Sequence, residues 1–265
     1  MLALSKSKKK LIRSLAMKKI RQAEKLFLAE GDKMVRDLIV HHMSRTEARY
    51  KIESLIATDD WIAANGERLG QDYDIFQTTQ AELQEISQQQ TPNQVMAIVH
   101  QHIPEFETSQ VKKKLSIGLE YLQDPGNLGT IIRLADWFGI RNILCSENCV
   151  DLYNPKTVQA TMGSFLRINV YYCDLPSNIS CLQEEKTYMV YGTGQNGNNL
   201  FHTPLFLPGI ILFGNESNGL SPDIMDMADR ILTIPYHDRT SHPDSLNVAT
   251  AAAILCAEFR KAHAK

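Results

Sequence analysis

Leu11, Ile12, Leu15, Ala16 and Ile20 recur at helical spacing, which predicts an amphipathic opening helix whose other face is crowded with lysine and arginine. From Leu26 to about Ile103, short apolar runs (LFLAE, MVRDLIV, IESLIAT, VMAIVH) alternate with polar, helix-compatible stretches such as 78–90, the pattern of a small α/β unit. Between Pro104 and Lys114 the apolar periodicity stops and charge rises. The chain therefore reads as a first domain over 1–104, a linker over 105–114 and a second domain over 115–265.

In the second domain an apolar strand at 115–122 leads through a turn at 124–129 into a helix that carries Ile131, Ile132, Leu134, Ala135 and Phe138 and closes at Gly139. Asn127 is the expected N-cap of that helix. Further strands are predicted at 142–145, 166–172, 188–191, 210–213 and 231–234, and helices at about 155–162, 222–228 and 246–262. Strands alternating with helices imply an α/β fold, a mostly parallel sheet with helices on both faces.

Composition narrows the classes without choosing among them. The 265 residues are 43% hydrophobic and 22% charged with a formal net charge of −2, which excludes disorder and a fibre. Charge is nevertheless segregated: residues 1–25 hold nine Lys or Arg against Glu24 alone, so this arm carries +8 and the rest of the chain −10. Such an arm suits a phosphate-rich partner, and a solvated lysine-rich helix face is the plain alternative. The five cysteines form no CxxC pair and have no histidine at zinc spacing, so they read as reduced thiols. No apolar run approaches the roughly 18 residues of a membrane span, and no signal-peptide core follows the basic start; a cytoplasmic protein that leaves membranes alone is expected.

Ligands of open α/β sheets bind beyond the carboxyl ends of strands, so the residues after each strand carry the chemistry. Three loops stand out: DPGNLG at 124–129 with Arg133 one turn further on, GNESNGL at 214–220, and the stretch from Pro235 to Ser245, Leu246 and Asn247. Each residue alone is explained by capping or turning. An Arg, a Glu and two Asn gathered at three separate strand ends are not.

DPGNLGTIIRLADWFGI, ILFGNESNGLSPDI and IPY…SLNVATAAAI, in that order, resemble the three motifs of the SpoU (TrmH) family of RNA ribose 2′-O-methyltransferases, and DLYNPKTVQATMG resembles the family between its first two motifs. KKLIRSL…KKIRQAEKLFLAEG resembles the start of a ribosomal-protein-like substrate-binding domain found in many members. The resemblance implies a SPOUT-type domain with a trefoil knot, which strand-and-helix reasoning would disfavour. It also implies S-adenosylmethionine as cofactor, RNA as partner and pairing into a homodimer through the knotted domain, the Ala-rich helix 249–262 contributing.

Carried over residue by residue, Asn127, Arg133, Glu216, Ser245 and Asn247 are the expected catalytic set. Thr193, Gly194, Gly214, Ile234 and Leu246 are the expected cofactor contacts. Lys8, Lys9, Lys10, Arg13, Lys18, Lys19 and Arg21 are the expected RNA contacts. In this reading Arg133 clamps a phosphate and stabilises the developing alkoxide, Asn127 and Ser245 orient hydroxyl or phosphate, and Glu216 orients Arg133 or the third-motif loop. The nine residues between Pro235 and Ser245, YHDRTSHPD, exceed the family's usual loop, so altered cofactor binding is one expectation and RNA contacts from Tyr236, His237, Arg239 and His242 another. Large-subunit ribosomal RNA is the expected substrate by analogy, with transfer RNA as the alternative.

Rival chemistries fit the chain less well. Gly192 to Gly197 spell GxGxxG, but 198–208 contains two prolines and no helical stripe to receive a pyrophosphate, so an NAD-dependent oxidoreductase is disfavoured and the segment reads as a flexible glycine loop. His242, Asp244 and Ser245 lie too close together for a hydrolase triad and no GxSxG elbow exists; His100 and His102 lack a third metal ligand. A non-catalytic RNA-binding protein of the same fold is the remaining alternative.

Overall fold

The computed structural model describes residues 2–44, 48–69, 72–184, 186–237 and 245–264. In chain order its elements are β1 (Leu2–Ala3), α1 (Lys6–Ser14), α2 (Lys18–Glu24), β2 (Leu26–Glu30), α3 (Asp32–Met43), β3 (Ile52–Thr58), α4 (Asp59–Asn65), β4 (Asp74–Thr78), α5 (Gln80–Ile86), β5 (Val95–His100) and α6 (Thr108–Val111). There follow β6 (Leu115–Leu119), α7 (Pro125–Trp137), β7 (Asn142–Ser146), α8 (Pro155–Thr161), β8 (Asn169–Cys173), α9 (Leu175–Gln183), β9 (Met189–Asn199), β10 (Gly209–Phe213), α10 (Pro222–Asp226), β11 (Arg230–Thr233) and α11 (Val248–Ala262).

These elements divide into two compact units, one formed by 1–103 with 151–166, the other by 104–150 with 167–265. Sequence reading places 151–163 with the second domain; in the structure this segment packs into the first unit.

In the first unit the strands run in the order β1-β4-β3-β5-β2, with β5 antiparallel to both of its neighbours. The predicted opening helix is broken at 15–17 into α1 and α2, and Ile12 and Leu15 reach a core with Leu28, Ile56, Leu83 and Ile98. The segment 151–166 supplies aromatic packing: Tyr153 and Phe165 lie 4.6 and 5.7 Å, ring centre to ring centre, from Phe27. Asp151 pairs with Arg21 at 2.7 Å.

The second unit is the predicted α/β layer structure. Its sheet, β11-β9-β10-β6-β7-β8, is parallel throughout. From β6 the chain moves outward to β7 and β8, then returns to β9 and β10 on the other side, so strand order reverses between β6 and β10. That switch point opens a crevice at the carboxyl ends of both strands. The apolar faces of α9 and α10 cover one side, packing Ile179, Leu182 and Ile224 on Val190, Ile210 and Leu212. Helix α9 has no counterpart in the sequence reading. The chain path on which a knot depends runs through 238–244, outside the described residues.

Candidate active site

The crevice is built from the first residues after β6. Asp124, not Asn127, caps α7: its Oδ1 accepts the Asn127 amide at 2.7 Å, and Pro125 occupies the first helical position, where its missing N–H costs nothing. This corrects the expected cap. Because Asp124 serves the helix end, the Asn127 side chain is left for other partners.

Those partners come from the other two loops. Asn127 Nδ2 donates to Glu216 Oε1 at 3.0 Å, and Asn127 Oδ1 accepts from Asn247 Nδ2 at 2.9 Å. Asn247 is held in turn because its Oδ1 caps α11, accepting from the amides of Ala249 and Thr250 at 2.9 and 3.2 Å. One polar chain thus links the loops after β6 and β10 to the start of α11. Of the two orientations expected for Glu216, it reaches the third-motif loop through Asn127; its bond is not to Arg133. Arg133 is exposed on α7 and has no ion-pair partner among the described residues.

The middle loop closes tightly on itself. Asn215 and Gly219 exchange backbone hydrogen bonds of 3.0 and 2.9 Å, and a Cβ on Gly214 would stand 2.0 Å from the Gly219 carbonyl carbon, so only glycine fits there. Glu120, 5% exposed, anchors the far end by accepting from both the amide and the hydroxyl of Ser221, at 2.7 and 2.6 Å. Sequence reasoning misses Glu120 and Asp124, although Asp-Pro ahead of an apolar run is a helix-start signal.

A cavity of about 980 Å³ lies among these loops, lined by Thr193, Gly194, Gly214, Glu216, Ile234, Ser245 and Leu246 together with apolar Phe213, Leu232, Val248 and Leu255. All five expected cofactor contacts therefore face one space, as do Glu216 and Ser245. Asn127, Arg133 and Asn247 are not among its lining residues. Tyr236 and His237 line it as well, while Arg239, His242 and Asp244 lie outside the described residues. Gly192 to Gly197 prove to be part of β9 instead of a flexible loop. A Cβ on Gly197 would meet the Ile231 carbonyl oxygen at 2.5 Å, so close passage of β11 accounts for this glycine.

The model of the SpoU rRNA Methylase family matches residues 114–257. The 23S rRNA (guanosine(2553)-2'-O)-methyltransferase RlmP of Bacillus subtilis is 31% identical over 249 residues, covering 94% of each chain. The chain belongs to the SpoU rRNA methylase family. Among solved structures, a TrmH-family protein from Porphyromonas gingivalis aligns at a TM-score of 0.85 with 32% identity over 98% of this chain and 99% of its own. An rRNA methyltransferase from Sinorhizobium meliloti, solved with AdoMet bound, aligns at 0.84 with 26% identity over 100% and 98%.

The model of the MRM3-like substrate binding domain matches residues 6–97, ahead of the methylase region. The basic arm is less free than its composition implies. Lys8 pairs with Glu53 at 2.8 Å, Lys9 with Glu82 at 2.8 Å and Arg13 with Glu85 at 3.5 Å. The Lys9 pairing raises that ammonium's pKa and holds the Glu82 carboxyl down at about 2. Arg21, expected at the RNA surface, is 2% exposed and spends its guanidinium on Asp151 and the carbonyls of Leu15 and Ala16. It is a core residue. Lys10, Lys18 and Lys19 remain exposed and have no ion-pair partner among the described residues.

Proposed function

We propose that this chain, as a cytoplasmic homodimer, transfers the methyl group of S-adenosylmethionine to the 2′-hydroxyl of a ribose in large-subunit ribosomal RNA. The observation that carries the reading is the Glu216–Asn127–Asn247 chain, which draws three distant segments to the edge of one cavity. The relationship to RlmP, a 23S rRNA 2′-O-methyltransferase, over nearly the whole length supports the substrate class.

The cavity fits the cofactor in size and chemistry. About 980 Å³ is the upper end of the range of small-molecule sites. Its apolar floor suits an adenine ring, and loop backbone at Thr193, Gly194, Gly214, Ile234 and Leu246 offers the donors and acceptors that would hold the polar groups. When bound, S-adenosylmethionine supplies an electrophilic methyl on its sulfonium.

The protein's own work is then to bring a ribose hydroxyl into line and to manage its proton. Arg133, a guanidinium with no ion-pair partner among the described residues, clamps the phosphate beside the target ribose and stabilises the oxyanion as it forms. Asn127 and Asn247, locked by the helix cap, set the rim against which the sugar lies. Ser245 orients hydroxyl or phosphate from within the cavity. Lys10, Lys18 and Lys19 supply charge that draws RNA to the first unit.

Among the described residues no helix is long and apolar enough to cross a membrane. Sedimentation tests the homodimer, for which α11 is the proposed contributor. Incubation with methyl-labelled S-adenosylmethionine and total RNA tests the activity: label in large-subunit ribosomal RNA is expected, label confined to transfer RNA would move the substrate, and an unlabelled RNA pool would contradict the reading.

A further inference from the structure

Tyr121, two residues past β6, has a left-handed backbone with φ of 53°. A bulky side chain is strained there, and such a conformation persists only where surrounding bonds impose it. The Tyr121 amide donates to Ser146 Oγ at 2.9 Å, and its carbonyl accepts from Asn215 Nδ2 at 3.0 Å and from Gln123 Nε2 at 3.5 Å. Glycine or asparagine would adopt the same backbone at lower cost. The turn alone does not account for a tyrosine.

Packing does not account for it either. The side chain is 45% exposed, and its hydroxyl has no hydrogen-bond partner among the described residues. The bond from Asn215 ties Tyr121 to the residue that precedes Glu216 on the cavity-lining loop, and Asp124, the cap of α7, follows three positions later. An exposed aromatic side chain thus stands between β6 and the cap of α7, on a segment bonded to the residue before Glu216 and on a backbone that is costly to maintain.

We infer that Tyr121 is a base-stacking residue: its ring receives a nucleobase flanking the target ribose, and it sets RNA affinity without contributing to cofactor binding. The inference rests on the reading that this chain methylates RNA. Unpaired RNA bases are held largely through aromatic faces, and loss of one such platform weakens binding by about tenfold or more.

Steady-state methylation of ribosomal RNA, with S-adenosylmethionine affinity measured in parallel by calorimetry, tests it on the intact chain. Tyr121→Gly and Tyr121→Asn keep the left-handed backbone and remove the ring; each is expected to raise KM for RNA about tenfold, with cofactor affinity unchanged. Tyr121→Phe keeps the ring and is expected to match the wild type. A glycine variant with wild-type KM, or a phenylalanine variant as weak as glycine, would overturn the inference while leaving the methyltransferase reading in place. Absence of transfer by the wild type would overturn both.

Discussion

Asn127 and Glu216, 89 residues apart in the chain, meet through a 3.0 Å hydrogen bond at the carboxyl ends of neighbouring strands β6 and β10. Glu216 is exposed and Asn127 only half-buried, so the bond adds little to stability, and its value is positional. Glu216→Ala should lower kcat at least about tenfold while shifting the unfolding free energy by less than about 1 kcal/mol. Paired kinetics and thermal melts check this; a fall in stability matching the fall in rate would make the pair structural.

Gly214→Ala introduces a methyl 2.0 Å from the Gly219 carbonyl carbon. The loop must open, at a cost of about 1–3 kcal/mol, and the cavity wall moves with it. Calorimetry with S-adenosylmethionine should show weakened binding in a folded protein. Undiminished affinity would place the cofactor elsewhere.

The arm separates into two kinds of cation. Arg21→Ala leaves Asp151 without its partner in a largely buried setting and should destabilise the protein by about 3 kcal/mol, visible as a shifted urea midpoint. Replacing Lys10, Lys18 and Lys19 with Ala should leave that midpoint in place. It should also flatten the salt dependence of RNA affinity by up to ~0.9 log units for each phosphate that the variant no longer neutralises. An unchanged slope would remove these lysines from the RNA surface.

His42 Nδ1 accepts the Ile52 amide at 3.0 Å at the start of β3, a bond that only the neutral ring can make. Burial lowers its pKa, with Lys51 assisting and Asp72 opposing. The unfolded chain therefore binds the proton more readily than the folded one, and stability rises with pH through the unfolded value near ~6.5 and is lost below it. Melts across that interval should show a drop on acidification, smaller in His42→Asn, whose amide oxygen replaces the acceptor. Equal drops would assign the effect to other groups.

The parallel sheet and the convergence of three loops are legible in the sequence because strand ends in such sheets are where polar residues have a reason to gather. The partner of each group is not. Asn127 looks like a cap because it precedes the apolar stripe, whereas Asp124 with Pro125 behind it holds the stronger helix-start geometry. Arg21 looks like one more surface cation in a run of lysines; the carboxylate that buries it lies 130 residues away. GxGxxG suggests a loop, yet its last glycine is required by a neighbouring strand's approach, which no local pattern encodes. The assignment of 151–166 to the first unit is likewise a tertiary fact, carried by Asp151, Tyr153 and Phe165.

Alkaline hydrolysis of ribosomal RNA labelled by the wild type and by Arg133→Ala, with cofactor affinity measured on both proteins, bears most directly on the account. A single alkali-resistant linkage carrying the label is predicted for the wild type, and none for the variant, whose S-adenosylmethionine affinity should stay within about twofold because Arg133 does not line the cavity. Label on a base instead of a ribose, or a variant that loses cofactor binding along with transfer, would contradict it.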